Sequence, residues 1–385
     1  MKLRFSPIIL SVLILSLALQ PIALPVYAQS EANLSQVEIE SLVIPQKREQ
    51  PSYPDKRDAQ PYPEDLFESG EHPDAIPPSP EIIAKTQEQV NSFDCASVTD
   101  VSQIECEALV DLYDSTNGAD WLDNSNWLES ARVREWYGVI VTLGTGVTQL
   151  SLNSNHLTGT IPSTLDDLSN LLYLHLHFNQ LEGGIPSSLG DLSNLLELYL
   201  NDNQLEGSIP LSLGNLSNLK ILFLRNNHLE GSIPSTLGNL SNLEALYLYS
   251  NQLTGNIPAE LGNLSKLWYL LLQDNQLTGS IPSTLGNLSD LRRLYIYDNQ
   301  LTGSIPSTLG NLSNLDTLRL NHNQLTGRIP LSFVKLTKLN YFNYYGNNLC
   351  EPATPEFIAW KNTVEEWLGP GIICESRTCL PLIFR

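Results

Sequence analysis

The stretch LEGSIPLSLGNLSNLKILFLRNNH, residues 205–228, is one copy of a unit that recurs along the chain with small changes. Its Ile209-Pro210 pair returns every 24 residues without an insertion. The other isoleucines of this set, each followed by proline, are Ile161, Ile185, Ile233, Ile257, Ile281, Ile305 and Ile329. A fixed period of this length is typical of a solenoid, in which one unit cannot bury its leucines alone and stacked copies build a continuous core.

The unit reads LxxLxLxxNxLxGxIPxxLGxLxx, and its LxL part predicts a short strand. Side chains alternate along a strand, so the two leucines should face the core and the residue between them should face solvent. Strands one repeat apart should be parallel, because the chain returns to the same side at each turn. We expect strands centred near Leu150, Leu174, Leu198, Leu222, Leu246, Leu270, Leu294, Leu318 and Phe342.

Two further positions of the unit are constrained by the backbone. An asparagine follows each strand, and a buried amide there can satisfy backbone groups that the bend leaves unpaired. The glycine before Ile-Pro, as in Gly207, permits a tight or positive-φ backbone. The asparagine ladder comprises Asn155, Asn179, Asn203, Asn227, Asn251, Asn275, Asn299, Asn323 and Asn347.

The first 28 residues are typical of a secretory signal. Lys2 and Arg4 precede an apolar run over residues 8–19 that is too short for a comfortable membrane span, and the chain should be cleaved after Ala28. An uncleaved anchor is the alternative. Residues 29–90 are rich in proline and predict an extended linker. We therefore expect a secreted, periplasmic or cell-surface protein with no membrane insertion after cleavage.

Residues 91–146 are expected to cap the N-terminal end of the solenoid, which spans residues 147–349. A capping box at Ser102 and Glu105 predicts the start of a helix. The predicted apolar face of this helix is formed by Ile104, Ala108, Leu109, Leu112 and Tyr113. A cap must cover an open end, and large aromatic side chains bury much area. Those of this segment are Trp121, Trp127 and Trp136.

Residues 350–385 should form the C-terminal cap and tail. Thr354 and Pro355 are typical of a helix start, and Gly369-Pro370 of a helix end. The predicted apolar face of this helix is formed by Phe357, Trp360, Val364 and Trp367.

The five cysteines flank the repeats, and in an oxidising compartment this placement indicates one disulfide at each end. Cys350 and Cys374 bracket the C-terminal helix and should pair across it. Cys95 and Cys106 precede the repeats and lack the spacing of a zinc site. Cys379 is left over, and it is either free or intermolecular.

The repeat unit resembles the plant-type leucine-rich repeat. Over residues 95–375 the chain is similar to the extracellular domains of plant receptor-like kinases, to polygalacturonase-inhibiting proteins and, most of all, to secreted bacterial relatives of these. The sequence WYGV at residues 136–139 matches the family's WxGV phrase. Arg134 and Val141 stand where the family usually has two cysteines, and we infer that a Cys95–Cys106 bond replaces that disulfide.

The resemblance implies an α/β solenoid, a curved right-handed superhelix with a cap at each end. It implies a parallel sheet on the concave side, a second irregular sheet from the LxGxIP segments, and short 3₁₀-like turns on the convex side. It also implies ligand binding rather than catalysis, without identifying a ligand.

The solvent side of the main sheet is the natural binding surface of a solenoid. Its variable positions are rich in tyrosine and arginine, a composition typical of recognition surfaces. The predicted ligand-binding residues are Tyr173, His175, Tyr199, Phe223, Tyr247, Tyr269, Arg293, Tyr295 and Arg319. The alternative is that aromatic residues simply favour strands and stack on cross-strand neighbours.

Other classes of site have weaker support in the sequence. A net charge of −21 argues against a nucleic-acid partner, since phosphate binding needs a basic face. His175, His177 and Glu197 are close enough for a metal, but surface contacts are the favoured interpretation. Asp202, Asp274 and Asp298 line one edge and are too spread to act as a paired acid and base. The sequence contains no nucleophile elbow or phosphate loop, so we expect no catalytic residue and no cofactor.

We therefore expect a secreted, non-enzymatic module that binds a protein, peptide or polysaccharide ligand. One alternative is an inhibitor of a secreted hydrolase, by similarity to the polygalacturonase inhibitors. Another is a structural or adhesion protein. The Asn-Leu-Ser sequons, such as that at Asn215, coincide with the repeat consensus, which explains them unless the host has a eukaryotic secretory pathway.

Overall fold

The computed structural model describes residues 78–374 of the 385-residue chain. The predicted signal segment, most of the predicted linker and Cys379 lie outside the described residues. Within residues 78–374, no helix is both long and apolar enough to cross a bilayer.

An 11-stranded sheet runs through the repeat region. Its first two strands are antiparallel, and the later neighbours are parallel and in register, with Leu198 opposite both Leu174 and Leu222. The strands predicted from the LxL segments are all present, and the sheet gains one strand at each end. The strands are β1 (Val139–Thr142), β2 (Gly146–Ser151), β4 (Tyr173–His175), β6 (Glu197–Tyr199), β8 (Ile221–Phe223), β10 (Ala245–Tyr247), β12 (Tyr269–Leu271), β14 (Arg293–Tyr295), β16 (Thr317–Arg319), β18 (Tyr341–Asn343) and β20 (Glu366–Leu368).

A second set of strands follows the LxGxIP segments and forms three small parallel sheets. Single bridges at Gly184–Glu206 and Ser280–Thr302 join them. This is the irregular second sheet that the family resemblance implied. The strands are β3 (Thr158–Thr160), β5 (Gln180–Glu182), β7 (Glu206–Ser208), β9 (His228–Ser232), β11 (Gln252–Asn256), β13 (Gln276–Thr278), β15 (Thr302–Gly303), β17 (Gln324–Arg328) and β19 (Asn348–Cys350).

Each coil closes through a 3₁₀ turn that starts directly after the repeat proline. The extended conformation of that proline, with φ −63° and ψ 135° at Pro210, sets the direction of the turn. Leucines from both strands and from the turn meet in one core, where nearly all of them are fully buried. The turns are Ser163–Asp167, Ser187–Asp191, Leu211–Asn215, Ser235–Asn239, Ala259–Asn263, Ser283–Asn287, Ser307–Asn311 and Leu331–Lys335.

The asparagine ladder has the predicted role. The Asn203 Nδ2 donates to the carbonyl oxygens of Leu176 at 3.0 Å and Leu200 at 3.1 Å, and its Oδ1 accepts from the Leu181 N–H at 3.0 Å. Asn227 makes the same contacts one coil later. Each amide therefore ties its own coil to the preceding one.

The N-terminal cap begins earlier than the sequence predicted. A helix α1 (Pro80–Ser92) occupies the end of the predicted linker, so that prediction is wrong over residues 80–90. The Ser79 Oγ accepts from the Ile82 N–H at 3.3 Å, and the buried Tyr113 hydroxyl donates to the Gln89 Oε1 at 3.0 Å. The helix forms because it has a capped start and a packed face, which proline content alone does not reveal.

The second helix of the cap, α2 (Gln103–Ser115), starts at the predicted capping box. Cys106, Leu109 and Tyr113 are buried on it, whereas Ile104 is 57% exposed. The inclusion of Ile104 in the apolar face is therefore wrong, because the helix packs through a stripe displaced from that position. The three tryptophans of the cap are buried and pack against one another. The Trp121 and Trp127 rings meet edge-on with centroids 4.9 Å apart, and the Trp127 and Trp136 rings are tilted with centroids 4.8 Å apart.

The C-terminal helix α3 (Pro355–Lys361) is shorter than predicted. The chain then adds β20 to the main sheet, so Trp367 packs from a strand, 4.9 Å from the Phe342 ring and 5.6 Å from the Trp360 ring. The disulfides Cys95–Cys106 and Cys350–Cys374 are both present. Each end of the repeat core is thus closed by aromatic side chains and one disulfide.

Candidate ligand-binding face

In-register pairing places the residues between the paired leucines in one column on the concave face. The His175 and Tyr199 rings stack at 4.4 Å, Tyr199 and Phe223 at 4.7 Å, and Phe223 and Tyr247 at 4.3 Å, with the rings within 19° of parallel. Leu271 interrupts the column in the next coil. We call His175, Tyr199, Phe223 and Tyr247 the ring stack.

Arginine and tyrosine alternate over the coils that follow the ring stack. The Arg319 guanidinium lies 4.6 Å from the Tyr295 ring and 4.8 Å from the Tyr341 ring. Arg293 lies 5.8 Å from the Tyr269 ring in the neighbouring column. These cation–π contacts fix the position of two charged groups beside the ring stack. The structure thus brings the predicted site residues onto one continuous surface.

The rings are less exposed than the sequence predicted. Tyr199 and Phe223 are each 8% exposed and Tyr247 is 6% exposed, while Tyr269 and Tyr295 are 2% exposed. The neighbours in the stack cover both faces of Tyr199 and Phe223. The expectation that these rings are exposed to solvent is therefore wrong, and the cross-strand stacking of the alternative interpretation is present.

The two histidines of β4 and its extension belong to the same surface. The His175 Nε2 lies 3.0 Å from the Glu197 Oε2. Burial, then the nearby His175 and Arg225, lower the pKa of His177 to about 3, so its imidazole is neutral at ordinary pH. Within residues 78–374, no group of three histidine, cysteine or carboxylate side chains is placed to hold a metal ion.

A column of residues lies on the rim of the concave face, and only three of its members, Asp202, Asp274 and Asp298, were identified from the sequence. These residues precede the ladder asparagines and have φ between 47° and 56°. Seven of the eight are Ser, Asp, Asn or His. Asp, Asn and His are enriched in the left-handed region. The recurrence of these residue types before each ladder asparagine could therefore have revealed the column. The rim column consists of Ser154, Phe178, Asp202, Asn226, Ser250, Asp274, Asp298 and His322.

The aspartates of the rim column have different environments. Asp202 is fully buried, 3.0 Å from the Arg225 Nη2, and accepts from the Asn226 Nδ2 at 2.7 Å. Desolvation, then the charge of Asp298, raise the pKa of Asp274 to about 6. The Asp298 Oδ1 lies 3.4 Å from the His322 Nδ1. The three aspartates therefore lie along one edge as predicted, and Asp202 differs from the other two because it forms a buried ion pair with Arg225.

The outer face of the second sheet changes character along the solenoid. Its first coil carries the buried Thr158, and the next three carry glutamates at Glu182, Glu206 and Glu230. The later coils carry threonines at the same position, Thr254, Thr278, Thr302 and Thr326, which are exposed or half-buried. The Thr302 Oγ1 donates to the Gly279 carbonyl oxygen at 3.3 Å, so hydroxyls of this row are ordered against the neighbouring coil.

Comparisons with known proteins agree with this architecture. A family profile described as "Leucine-rich repeat region" matches residues 147–302, and one described as "Leucine Rich Repeat" matches residues 314–336. No relative is found among curated protein sequences.

Solved structures of plant proteins are similar to the chain. The ectodomain of the Arabidopsis thaliana receptor kinase GASSHO1/SCHENGEN3, in complex with CASPARIAN STRIP INTEGRITY FACTOR 2, is 33% identical, with 70% of this chain and 35% of that chain covered and a TM-score of 0.59. The ectodomain of the Arabidopsis receptor kinase HAESA, in complex with an IDA peptide hormone ligand, is 32% identical, with 70% and 47% covered and a TM-score of 0.57.

A plant ice-binding protein is 26% identical, with 73% of this chain and 100% of that chain covered and a TM-score of 0.56. The chain spans between a third and a half of the length of the two receptor ectodomains. The repeat unit, the solenoid and these matches together show that residues 147–302 and 314–336 consist of plant-type leucine-rich repeats.

Proposed function

We propose that the chain is an exported, non-enzymatic module that binds a peptide on its concave face. The observation that carries this proposal is the continuous surface formed by the ring stack and the Tyr–Arg contacts that follow it. The two disulfides support an oxidising compartment. We also propose that a secretory signal is cleaved after Ala28.

The dimensions of the surface suit an extended peptide. Strands β4 to β16 are seven neighbours about 4.8 Å apart, which gives a length of roughly 29 Å, or about nine extended residues. Stacked rings present their edges and phenolic hydroxyls, which combine apolar contact with hydrogen bonding at a low entropic cost. The similar HAESA ectodomain was solved with a peptide hormone ligand bound, and that of GASSHO1/SCHENGEN3 with CASPARIAN STRIP INTEGRITY FACTOR 2.

The test replaces two rings of the surface. Peptides would be selected from a random 12-residue phage library on wild type, and their affinities measured for wild type, for Tyr199→Ser/Tyr247→Ser and for a control, Leu211→Ser. Leu211 is 66% exposed on a convex turn. We expect the control to bind as wild type does and the double variant to bind at least about tenfold more weakly, as for loss of a hot spot.

Circular dichroism would establish that each variant is folded. Equal affinity of a folded double variant would contradict the concave assignment. If a polysaccharide or a hydrolase bound where peptides did not, one of the alternative functions would replace this one.

We propose ice binding as a second candidate, favoured by the threonine row of the second sheet. Ice is a periodic surface, and a rigid row of hydroxyl and methyl groups repeated about every 4.8 Å is a periodic complement to it. Asn256, Ser280 and Ser304 add short polar groups beside the first three threonines, and the exposed Arg328 occupies the same position beside Thr326. The similarity to a plant ice-binding protein over its whole length supports this candidate.

The test measures ice growth in the presence of the protein. We expect Thr278→Lys/Thr302→Lys to abolish any effect of wild type on ice-crystal growth, because two lysines would hold the face away from the lattice. Ser289→Lys, on the convex side, is the matched control and should behave as wild type. Unchanged ice growth with wild type would remove this candidate.

A further inference from the structure

Phe178 is the exception in the rim column. It has φ 55° although it is a bulky aromatic residue, whereas the other members of the column are Ser, Asp, Asn or His. Gly346 takes the corresponding place one coil after His322. A bulky side chain in the left-handed region is an outlier, because its Cβ crowds the backbone. Phe178 is therefore a strained residue at a position where asparagine or glycine would be relaxed.

The fold imposes this conformation on whatever residue occupies the position. The Phe178 N–H donates to the Asn201 carbonyl oxygen at 3.1 Å, and the equivalent N–H of Asp202 donates to the Arg225 carbonyl oxygen at 3.0 Å. The next residue, Asn179, is held by its own ladder contacts. Phe178 cannot relax without breaking the hydrogen bonds that join two coils.

Burial in the core does not offset the strain. The Phe178 ring is only half-buried and is not part of the hydrophobic core cluster. It contacts the His177 ring edge-on at 5.4 Å, and the Arg225 guanidinium lies 5.9 Å from it. His177 in turn lies 5.6 Å from Tyr199 of the ring stack. Phe178 thus adds an aromatic ring beside the ring stack, at the end of the stack nearest the N-terminus.

We propose that Phe178 is a ligand contact, and that with His177 and Tyr199 it forms a subsite for an apolar or aromatic side chain of the bound peptide. This inference rests on the proposed peptide-binding function. Strained residues persist where the surrounding structure fixes them and the strain serves a function. A subsite at one end of the concave face would also set the register of an extended peptide.

The test is Phe178→Asn, with Ser250→Asn as the control in the same column at φ 52°. We expect Phe178→Asn to raise the Tm by about 2–4 °C, because the left-handed strain is relieved. The control should change the Tm much less.

A 12-residue phage library panned on wild type and on the control should enrich peptides that share an apolar or aromatic residue at one position, and the affinity of these peptides for Phe178→Asn should fall about tenfold. Phe178→Leu, which keeps an apolar side chain, should retain most of the affinity.

Two results would overturn the inference. A lower Tm for Phe178→Asn would show that the ring stabilises the fold by packing. A higher Tm with unchanged affinity for the same peptides would show that the ring does not touch the ligand. Failure of wild type to enrich any peptide is a different result, because it removes the proposed function itself and the subsite with it.

Discussion

Replacing Asn227 with alanine should lower the free energy of unfolding by about 3–5 kcal/mol, because buried groups that lose a partner cost about 1–3 kcal/mol each. The Asn227 Oδ1 accepts from the Leu205 N–H at 3.0 Å, and its Nδ2 donates to the carbonyl oxygens of Leu200 and Leu224 at 3.1 Å. Alanine leaves all three groups in the interior without this amide. Urea denaturation monitored by circular dichroism measures the change.

Asn218→Ala is the matched control for this prediction. The Asn218 side chain is exposed and makes one hydrogen bond, from its Nδ2 to the Ser193 carbonyl oxygen at 2.9 Å. Water replaces that partner, so we expect a change within about 0.5 kcal/mol. Equal losses for the two variants would mean that the ladder does not hold the coils together.

Gly214→Ala should be the other strongly destabilising change, by about 3 kcal/mol, as for an overpacked interior. A Cβ at Gly214 would lie 2.4 Å from the Thr236 carbonyl oxygen and 2.6 Å from the Thr236 Cβ. The clash is with the next coil, so the stacking of two coils must shift to accept a single methyl group. The same denaturation experiment measures the effect.

Gly207→Ala measures the cost of the backbone conformation alone, because an added Cβ there meets no neighbouring atom. Gly207 has φ +72° and no heavy atom within 4 Å of a built Cβ. Alanine there meets only the left-handed penalty, which is about 1–2 kcal/mol. A larger loss for Gly207→Ala than for Gly214→Ala would contradict the description of how the convex turns pack.

The solenoid was predictable because its period is strict. Once Leu198 and Leu222 are known to be 24 residues apart, parallel in-register strands follow, and with them the columns of the concave face. The boundary of the linker was predicted wrongly, because the prediction rested on the proline content of residues 29–90 and not on the helix-start pattern near its end. Ser79 followed by Pro80 is a helix start, and recognising it would have placed α1 correctly.

The candidate site was only partly predictable, because part of its structure depends on contacts between neighbouring coils. Period-two alternation identifies which residues share the concave face, such as Tyr199 and Phe223, but the stacking of their rings depends on side-chain rotamers. The strain at Phe178 depends on hydrogen bonds to the next coil, which the sequence of one repeat does not show. The ligand does not follow from the fold, since the repeats leave the concave positions free to vary.

The central claim, that a peptide binds the concave face, is tested most directly by photo-crosslinking. A library-selected peptide carrying a benzophenone side chain would be irradiated in complex with the wild-type chain, and the crosslinked residues identified by mass spectrometry. We predict crosslinks within strands β4 to β16 and in the adjacent rim column, near Phe178 and Tyr247. Crosslinks confined to the second sheet, the convex turns or the caps would contradict the claim.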